Sequence, residues 1–368
     1  MTKKDVCVWD LEGPISILDF AGELGKKLMS VSGQIFSKYD MGAFFSMLSL
    51  YDDFLIDTPD MRNDLGIPDY QPGDTLRLIA PLYVLSFDNT YLIRLAEKNL
   101  GLLPGCEELF RILKKKWDIF IISTSYSQFA LTIAKKLNIP RDHVYCTQFN
   151  IDDLKRKNGS LKEEVELLIE KIFVKYLKNN KSLEQVIDDL NSFFWSDKAM
   201  NYVELMNEIE VRGGIRKELA VLDISEITLT PISEMVSIGD SITDINMLQR
   251  VKSEGGIAIS FNGNRYSIPQ ANIALTAVSN LGVLPIFEKH QNLDEFLLLW
   301  QEYFPVFSEN PQLIPKDLLS ERTRDIFKKY NFVPEIDYLE APNSNLDDII
   351  RKQETMRKFV RGWAGNLG

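Results

Sequence analysis

Two acids two residues apart, Asp10 and Glu12 in WDLEGPIS, and two more four apart, Asp240 and Asp244 in SIGDSITDINML, are the carboxylates best placed to act together. Each pair follows a short apolar run, DVCVW before Asp10 and MVSIG before Asp240. Ser123 ends a third such run, DIFIIS, with Thr124 and Ser125 directly after it. Lys217, in VRGGIRKELAVL, lies 23 residues before Asp240. A carboxylate nucleophile, a hydroxyl, a lysine and an acidic pair make a coherent set for phosphoryl transfer. Asp10 can attack phosphorus and form an aspartyl-phosphate, which splits one hard step into two easier ones. A hydroxyl and an ammonium group can hold the equatorial oxygens as charge develops. Asp10 and Asp240 are hard oxygen ligands of the kind Mg²⁺ takes. A dication there also lowers the repulsion between an anionic nucleophile and an anionic phosphate.

Elements that could hold these groups together are legible in the pattern. Five short apolar runs ending in polar residues, at 6–10, 118–123, 143–149, 235–240 and 256–261, predict buried parallel strands. Amphipathic helical patterns follow the second at 127–139 and the fourth at 244–255. This alternation predicts an α/β fold, a doubly wound and mostly parallel sheet with right-handed crossovers. Ligands of such sheets sit beyond the carboxyl ends of the strands, where the polar residues ending each run converge. Two intervals are too long for simple crossovers and predict inserted, largely helical modules, at 14–101 and 150–212. The first holds FAGELGKKLMSVSGQIFSKYD and a Pro- and Asp-rich middle; the second holds LKEEVELLIEKIFVKYLKNN and LEQVIDDLNSFF. The core is left as 1–13, 102–149 and 213–287, and residues 288–368 read as a C-terminal helical extension.

The chain has 368 residues, 45% hydrophobic and 26% charged, which fits a globular protein of two or three domains. A net charge of −11 argues against a broad nucleic-acid footprint. Three scattered cysteines, Cys7, Cys106 and Cys146, suit a reducing interior. The start MTKKD does not lead into a signal peptide. No run approaches the roughly 20 apolar residues that span a bilayer. Together these predict a cytoplasmic protein with no membrane insertion. His143 and His290 lie too far apart in sequence to suggest a metal pair, and Cys7 reads as a small buried apolar residue. The acidic YDDFLID at 51–57 reads as a solvated face, Arg62 and Arg77 of the first insert could read a substrate's negative charge, and the terminal KFVRGW reads as a docked or fraying helix end.

The order DLEGPIS, IIS, IRKE, GDSITD resembles that of the haloacid dehalogenase (HAD) superfamily, closest to its phosphoserine-phosphatase-like members. Their four motifs are DxDG[TS], a strand-terminal Ser or Thr, a Lys, and GDxxxD. GGIAISFNGNRYSIPQANIAL resembles that family's last core strand and the loop after it. The likeness covers the core strands, about half of the chain. It implies a Mg²⁺-dependent hydrolase, a phosphatase acting on a small phosphorylated metabolite. Asp10 would be the nucleophile and a metal ligand, and the Glu12 backbone carbonyl a further ligand. Ser123 and Lys217 would bind phosphate, with Asn262 near the phosphate-side loops. Asp240 would bind the metal, helped by Asp244. Thr124 and Ser125 compete with Ser123 for the second position, and register favours Ser123. The inserted modules of such proteins close over the site, so both inserts are expected to cover Asp10. The DLEGPIS start and the two inserts also resemble an archaeal HAD-like group known as energy-converting hydrogenase A subunit R. The departure is Glu12, where the family has the Asp that serves as general acid and base. A reach error near 1 Å can cost on the order of a hundredfold in rate. Three outcomes stay open: Glu12 works as acid and base, it slows turnover, or the site binds phosphate without chemistry. The last makes the chain a catalytically weakened interaction or regulatory subunit, meeting a protein partner through the inserts or the extension.

Overall fold

The computed structural model describes residues 4–31, 34–157, 161–342 and 344–367. Short runs rich in Val, Ile and aromatic residues form seven strands: β1 (Asp5–Trp9), β2 (Trp117–Tyr126), β3 (Val144–Thr147), β4 (Val236–Gly239), β5 (Ile257–Phe261), β6 (Ile273–Thr276) and β7 (Glu335–Tyr338). They lie in the order β3-β2-β1-β4-β5-β6-β7. Neighbours from β3 to β6 pair in parallel, and β7 runs antiparallel to β6. The five expected strands are β1 to β5, with β2 running on to Tyr126. The chain leaves β1 for β2 on one side and reaches β4 on the other, so β1 and β4 flank the switch point where such sheets bind ligands.

Both faces are covered, which is why the strands read as continuous apolar runs. On one face Trp9 packs 5.1 Å from Phe110 and 6.0 Å from Phe287, measured between ring centres. On the other, Val6, Val8, Phe120 and Ile122 pack against Val221 and Ile224 of the helix Ile215–Thr228 and Met247 and Val251 of the helix Ile245–Ser253.

The extension departs from the purely helical expectation. It carries a 17-residue helix, Leu293–Glu309, but also supplies β7. Only Ile336 of the four residues EIDY is buried, so an edge strand this short leaves no periodic signal. After β7 the last helix, Leu346–Arg361, returns across the sheet. Lys352 on it donates to Glu335 at 2.6 Å and Asp337 at 2.7 Å, and Gln353 Oε1 accepts the Gly263 N–H at 2.6 Å.

Residues 14–101 form helices including Phe20–Leu28, Met41–Asp57 and Thr75–Ser86. Residues 150–212 form a helical run from Lys162 to Lys178, with a wide π turn at Leu167–Phe173, and the helices Ile187–Phe194 and Met200–Asn207. The two segments share polar ties inside one apolar core. Tyr51 OH donates to Asn191 Oδ1 at 2.6 Å, Trp195 Nε1 to Tyr51 OH at 2.8 Å, and Tyr202 OH to the Leu78 carbonyl at 2.7 Å. Among the described residues no helix is long and apolar enough to cross a membrane.

Asp52 overturns the solvated reading of the 51–57 cluster. It is 3% exposed. Its carboxylate accepts the Tyr70 hydroxyl at 2.7 Å and the Gly73 N–H at 2.9 Å, which ties the Pro-rich loop onto the helix Met41–Asp57. Burial, with Asp53 beside it, pushes this carboxyl up to about 7 against the pull of the Tyr70 hydroxyl. A folded-state value above the unfolded one means that the folded state holds the proton more tightly. That contribution is complete below the unfolded value of about 4 and is lost as pH rises through 7. Asp52→Asn is therefore expected to flatten the fall in stability across this window, measured as urea midpoints against pH. Parallel curves for the two proteins would refute it.

Candidate active site

The strand ends converge at the carboxyl edge of the sheet. Asp10 follows β1, and its N–H donates to the Ile238 carbonyl of β4 at 2.8 Å. Asp240 follows β4. Between the two runs the turn after Glu12, where Gly13 has φ of 132° and an added Cβ would fall 2.3 Å from the Asp240 carboxyl carbon. Only glycine lets the chain pass so close. Asp244 closes the turn after β4 as part of a capping box with Ser241. Its Oδ2 accepts the N–H groups of Asp240 and Ser241 at 2.9 and 3.0 Å.

Lys217, on the first turn of the helix Ile215–Thr228, is fully buried between two of these acids. Its ammonium donates to Asp10 Oδ1 at 2.5 Å and Asp244 Oδ1 at 2.7 Å. Burial alone would lower the Lys217 pKa, but the two carboxylates outweigh it and raise it. The Asp10 carboxyl is pushed up to about 6, by burial first and Asp244 second, while Lys217 pulls it down.

Asp10, Asp240 and Asp244 each offer a carboxylate oxygen, and these oxygens lie within 4.8 Å of one another. Asp240 Oδ1 is buried without a hydrogen-bond partner. An all-oxygen set with an orphaned anionic atom suits a small hard dication. The residues present therefore fit Mg²⁺, with Asp240 Oδ1 as the open ligand. The Glu12 carboxylate stands outside this set and takes the Phe20 N–H at 2.9 Å through Oε1. Burial and the nearby Asp19 push it up to about 8; the Phe20 N–H, Ser125 and Arg361 pull the other way.

A cavity of about 70 Å³ adjoins these groups, lined by Asp10, Glu12, Thr124 and Arg361 among others. Phe45, Ser49, Asp52 and Gly73 of the first insert roof it. None of its lining residues comes from 150–212, so the second insert packs on the first rather than over Asp10. Two expected phosphate ligands, Ser123 and Asn262, do not line the cavity. Ser123 Oγ accepts the Ser125 N–H at 3.1 Å, whereas the Thr124 hydroxyl is buried, unpartnered and on the cavity wall. The β2–β3 register shifts between Ser123 and Tyr126, on the stretch that carries Thr124. Asn262 spends its amide on Ala277, donating to its carbonyl at 2.7 Å and accepting its N–H at 3.0 Å, so it staples β5 to the chain after β6. Arg62 and Arg77 stay out of the cavity; Arg62 donates to the Tyr70 carbonyl and Arg77 pairs with Asp74. His143 stacks on Phe120 and His290 packs against Trp117. All three cysteines are buried and unpaired.

Sequence reasoning missed two residues. Arg357 and Arg361, on the last helix, reach into the site with side chains 3% and 5% exposed. Arg357 Nη1 donates to the Asp240 carboxylate and carbonyl, and Arg361 Nη1 donates to Asp240 Oδ2 at 2.9 Å. Their four-residue spacing, which puts both on one helix face, was the available signal.

Residues 106–284 match the family model of haloacid dehalogenase-like hydrolases, a stretch that contains Ser123, Lys217, Asp240 and Asp244. Among solved structures, a gene product from Archaeoglobus fulgidus is similar over 99% of this chain and 99% of its own, at 25% identity and a TM-score of 0.73. That likeness spans both inserts and the extension as well as the sheet. A phosphoserine phosphatase in apo form aligns with 79% of this chain and 100% of its own, at 11% identity and a TM-score of 0.42. A phospho-aspartyl intermediate analogue of phosphoserine phosphatase aligns with 74% and 93%, at 12% identity and a TM-score of 0.38. No curated protein matches the sequence.

Removing the lysine charge isolates its structural part. Lys217→Met leaves Asp10 and Asp244 buried without their shared cation, and breaking a buried pair this way costs about 3–5 kcal/mol. The variant's urea midpoint should fall accordingly, with the loss smaller at acidic pH, where the carboxylates can protonate. A midpoint equal to that of the parent at neutral pH would refute the brace.

Proposed function

We propose that this chain, a haloacid dehalogenase-like protein by its sheet and by the match over residues 106–284, is a phosphatase of small phosphorylated metabolites. The observation that carries the proposal is Asp10 held by Lys217 at the edge of a cavity also lined by Thr124 and Glu12. An Asp10 carboxylate oxygen attacks phosphorus, and the bond from phosphorus to the ester oxygen breaks. Glu12, pushed up to about 8, carries a proton at neutral pH and gives it to the departing alkoxide. The Glu12 carboxylate then takes a proton from water as the water oxygen attacks the aspartyl-phosphate. Asp10 and inorganic phosphate are released. Thr124 hydrogen-bonds a phosphoryl oxygen, and Lys217 fixes the orientation of Asp10. Mg²⁺, held by Asp10, Asp240 and Asp244 with the Glu12 carbonyl as a further ligand, would supply charge neutralisation at the phosphoryl oxygens. Three unpaired buried cysteines support placing this activity in the reducing cytoplasm.

A screen of phosphate monoesters with Mg²⁺ tests the proposal. Asp10→Asn should lose at least about a thousandfold in kcat, since a missing nucleophile is not replaced by its neighbours. Glu12→Gln should lose about 10²–10⁴-fold. Full activity in Asp10→Asn would sink the mechanism. If neither the parent nor Glu12→Asp turns over any ester and a complex co-purifies, the interaction-subunit reading replaces it.

A further inference from the structure

The phosphate-binding set expected from the sequence is depleted in the folded chain. Lys217 directs two of its three donors at Asp10 and Asp244. Ser123 and Asn262 do not line the cavity, which leaves the Thr124 hydroxyl. A phosphate dianion held by one hydroxyl among buried carboxylates would be repelled. The missing positive charge comes from the far end of the chain.

We infer that Arg357 and Arg361 are substrate-binding residues, and that the last helix carries these guanidinium groups into the cavity to hold the oxygens of the phosphoryl group. The inference rests on the proposed phosphatase site. Two guanidinium groups meet on the one carboxylate of Asp240 and both line the cavity. Together they carry more donors than Asp240 uses. Arg361 uses Nη1 on Asp240 and Nε on the Ile17 carbonyl at 3.4 Å, while Nη2 has no protein partner among the described residues. Arg357 donates through Nη2 to the Leu367 carbonyl at 2.9 Å, so its fork is fixed. Guanidinium groups with free planar donors suit a tetrahedral oxyanion.

The placement does not come from a fraying end. Lys352 and Gln353 anchor the helix to β7 and to the loop after β5. The residues after it fold back onto the first insert: Trp363 lies under the Lys26 ammonium at 3.6 Å from the ring centre and 6.4 Å from the Phe45 ring. Core and first insert thus both grip the segment that carries the arginines.

Calorimetric titration of inorganic phosphate into the full-length chain tests this, once in chelator and once in Mg²⁺. The parent is expected to bind phosphate in both. Arg361→Gln should weaken it by about tenfold or more in both, the loss expected for a charged hydrogen bond. Arg361→Lys keeps the charge but not the fork and should fall between them; it decides the matter if Arg361→Gln fails to fold. An unchanged phosphate affinity in a folded variant overturns the inference. So does a gain in Mg²⁺ affinity alone, which would make the arginines mere counter-ions of Asp240, and so does a parent that binds no phosphate. Arginine-dependent phosphate binding without ester turnover upholds the inference and removes the phosphatase reading. Turnover with arginine-independent phosphate binding does the reverse.

Discussion

Buried carboxylates need cations that water no longer supplies, and the carboxyl edge of this sheet is built around that constraint. Asp10, Asp240 and Asp244 are 4%, 0% and 0% exposed. Isolated ionised groups at such depth would protonate or pull the fold apart. Three basic side chains meet them: Lys217 between Asp10 and Asp244, and Arg357 with Arg361 on Asp240. The backbone supplies the rest, since Asp244 also takes two N–H groups. Each acid therefore has a buried cation against it, and their positions are fixed by ion pairs rather than by solvent.

Each cation arrives by a different route through the topology. Lys217 sits on the helix that packs under β1 and β2 and precedes β4, so the same crossover that orders the sheet aims it at Asp10. The arginines need a longer path. The extension must add β7 antiparallel to β6 before the last helix can return across the sheet toward Asp240. That gives an edge strand of four residues a consequence far from itself. The extension is a wall of the cavity, with Leu367 beside Arg357 and Arg361, and the first insert is its roof.

The parts legible in the sequence were those fixed locally. Continuous apolar runs gave away β1 to β5, and an acid at the end of a run gave away Asp10 and Asp240. What stayed hidden depended on partners distant in the chain. Asp52 reads as an ordinary surface acid until Tyr70 and Gly73, 18 and 21 residues on, close over it. A basic amphipathic helix looks the same whether its arginines face solvent or Asp240, 117 and 121 residues away. Thr124 was already among the candidates; what stayed hidden was the shift in the β2–β3 pairing between Ser123 and Tyr126, which no local pattern announces.

Glu12 shows how the site and the first insert depend on each other. Its carboxylate lies against the start of the helix Phe20–Leu28, taking the Phe20 N–H, while Asp19 caps the same helix by accepting from Gly22 at 2.7 Å. A helix N-terminus favours a charged carboxylate; burial and the Asp19 charge oppose it and win, leaving the proton on at neutral pH. An Asp on the same backbone would be one methylene short of that N–H. The longer side chain thus spans from the core to the insert, and its protonation is governed by groups on both. Any shift of that helix away from the sheet would take the Phe20 N–H with it and strengthen the hold on the proton. In this chain the hold on the Glu12 proton depends on core and insert together rather than on the strand end that carries it.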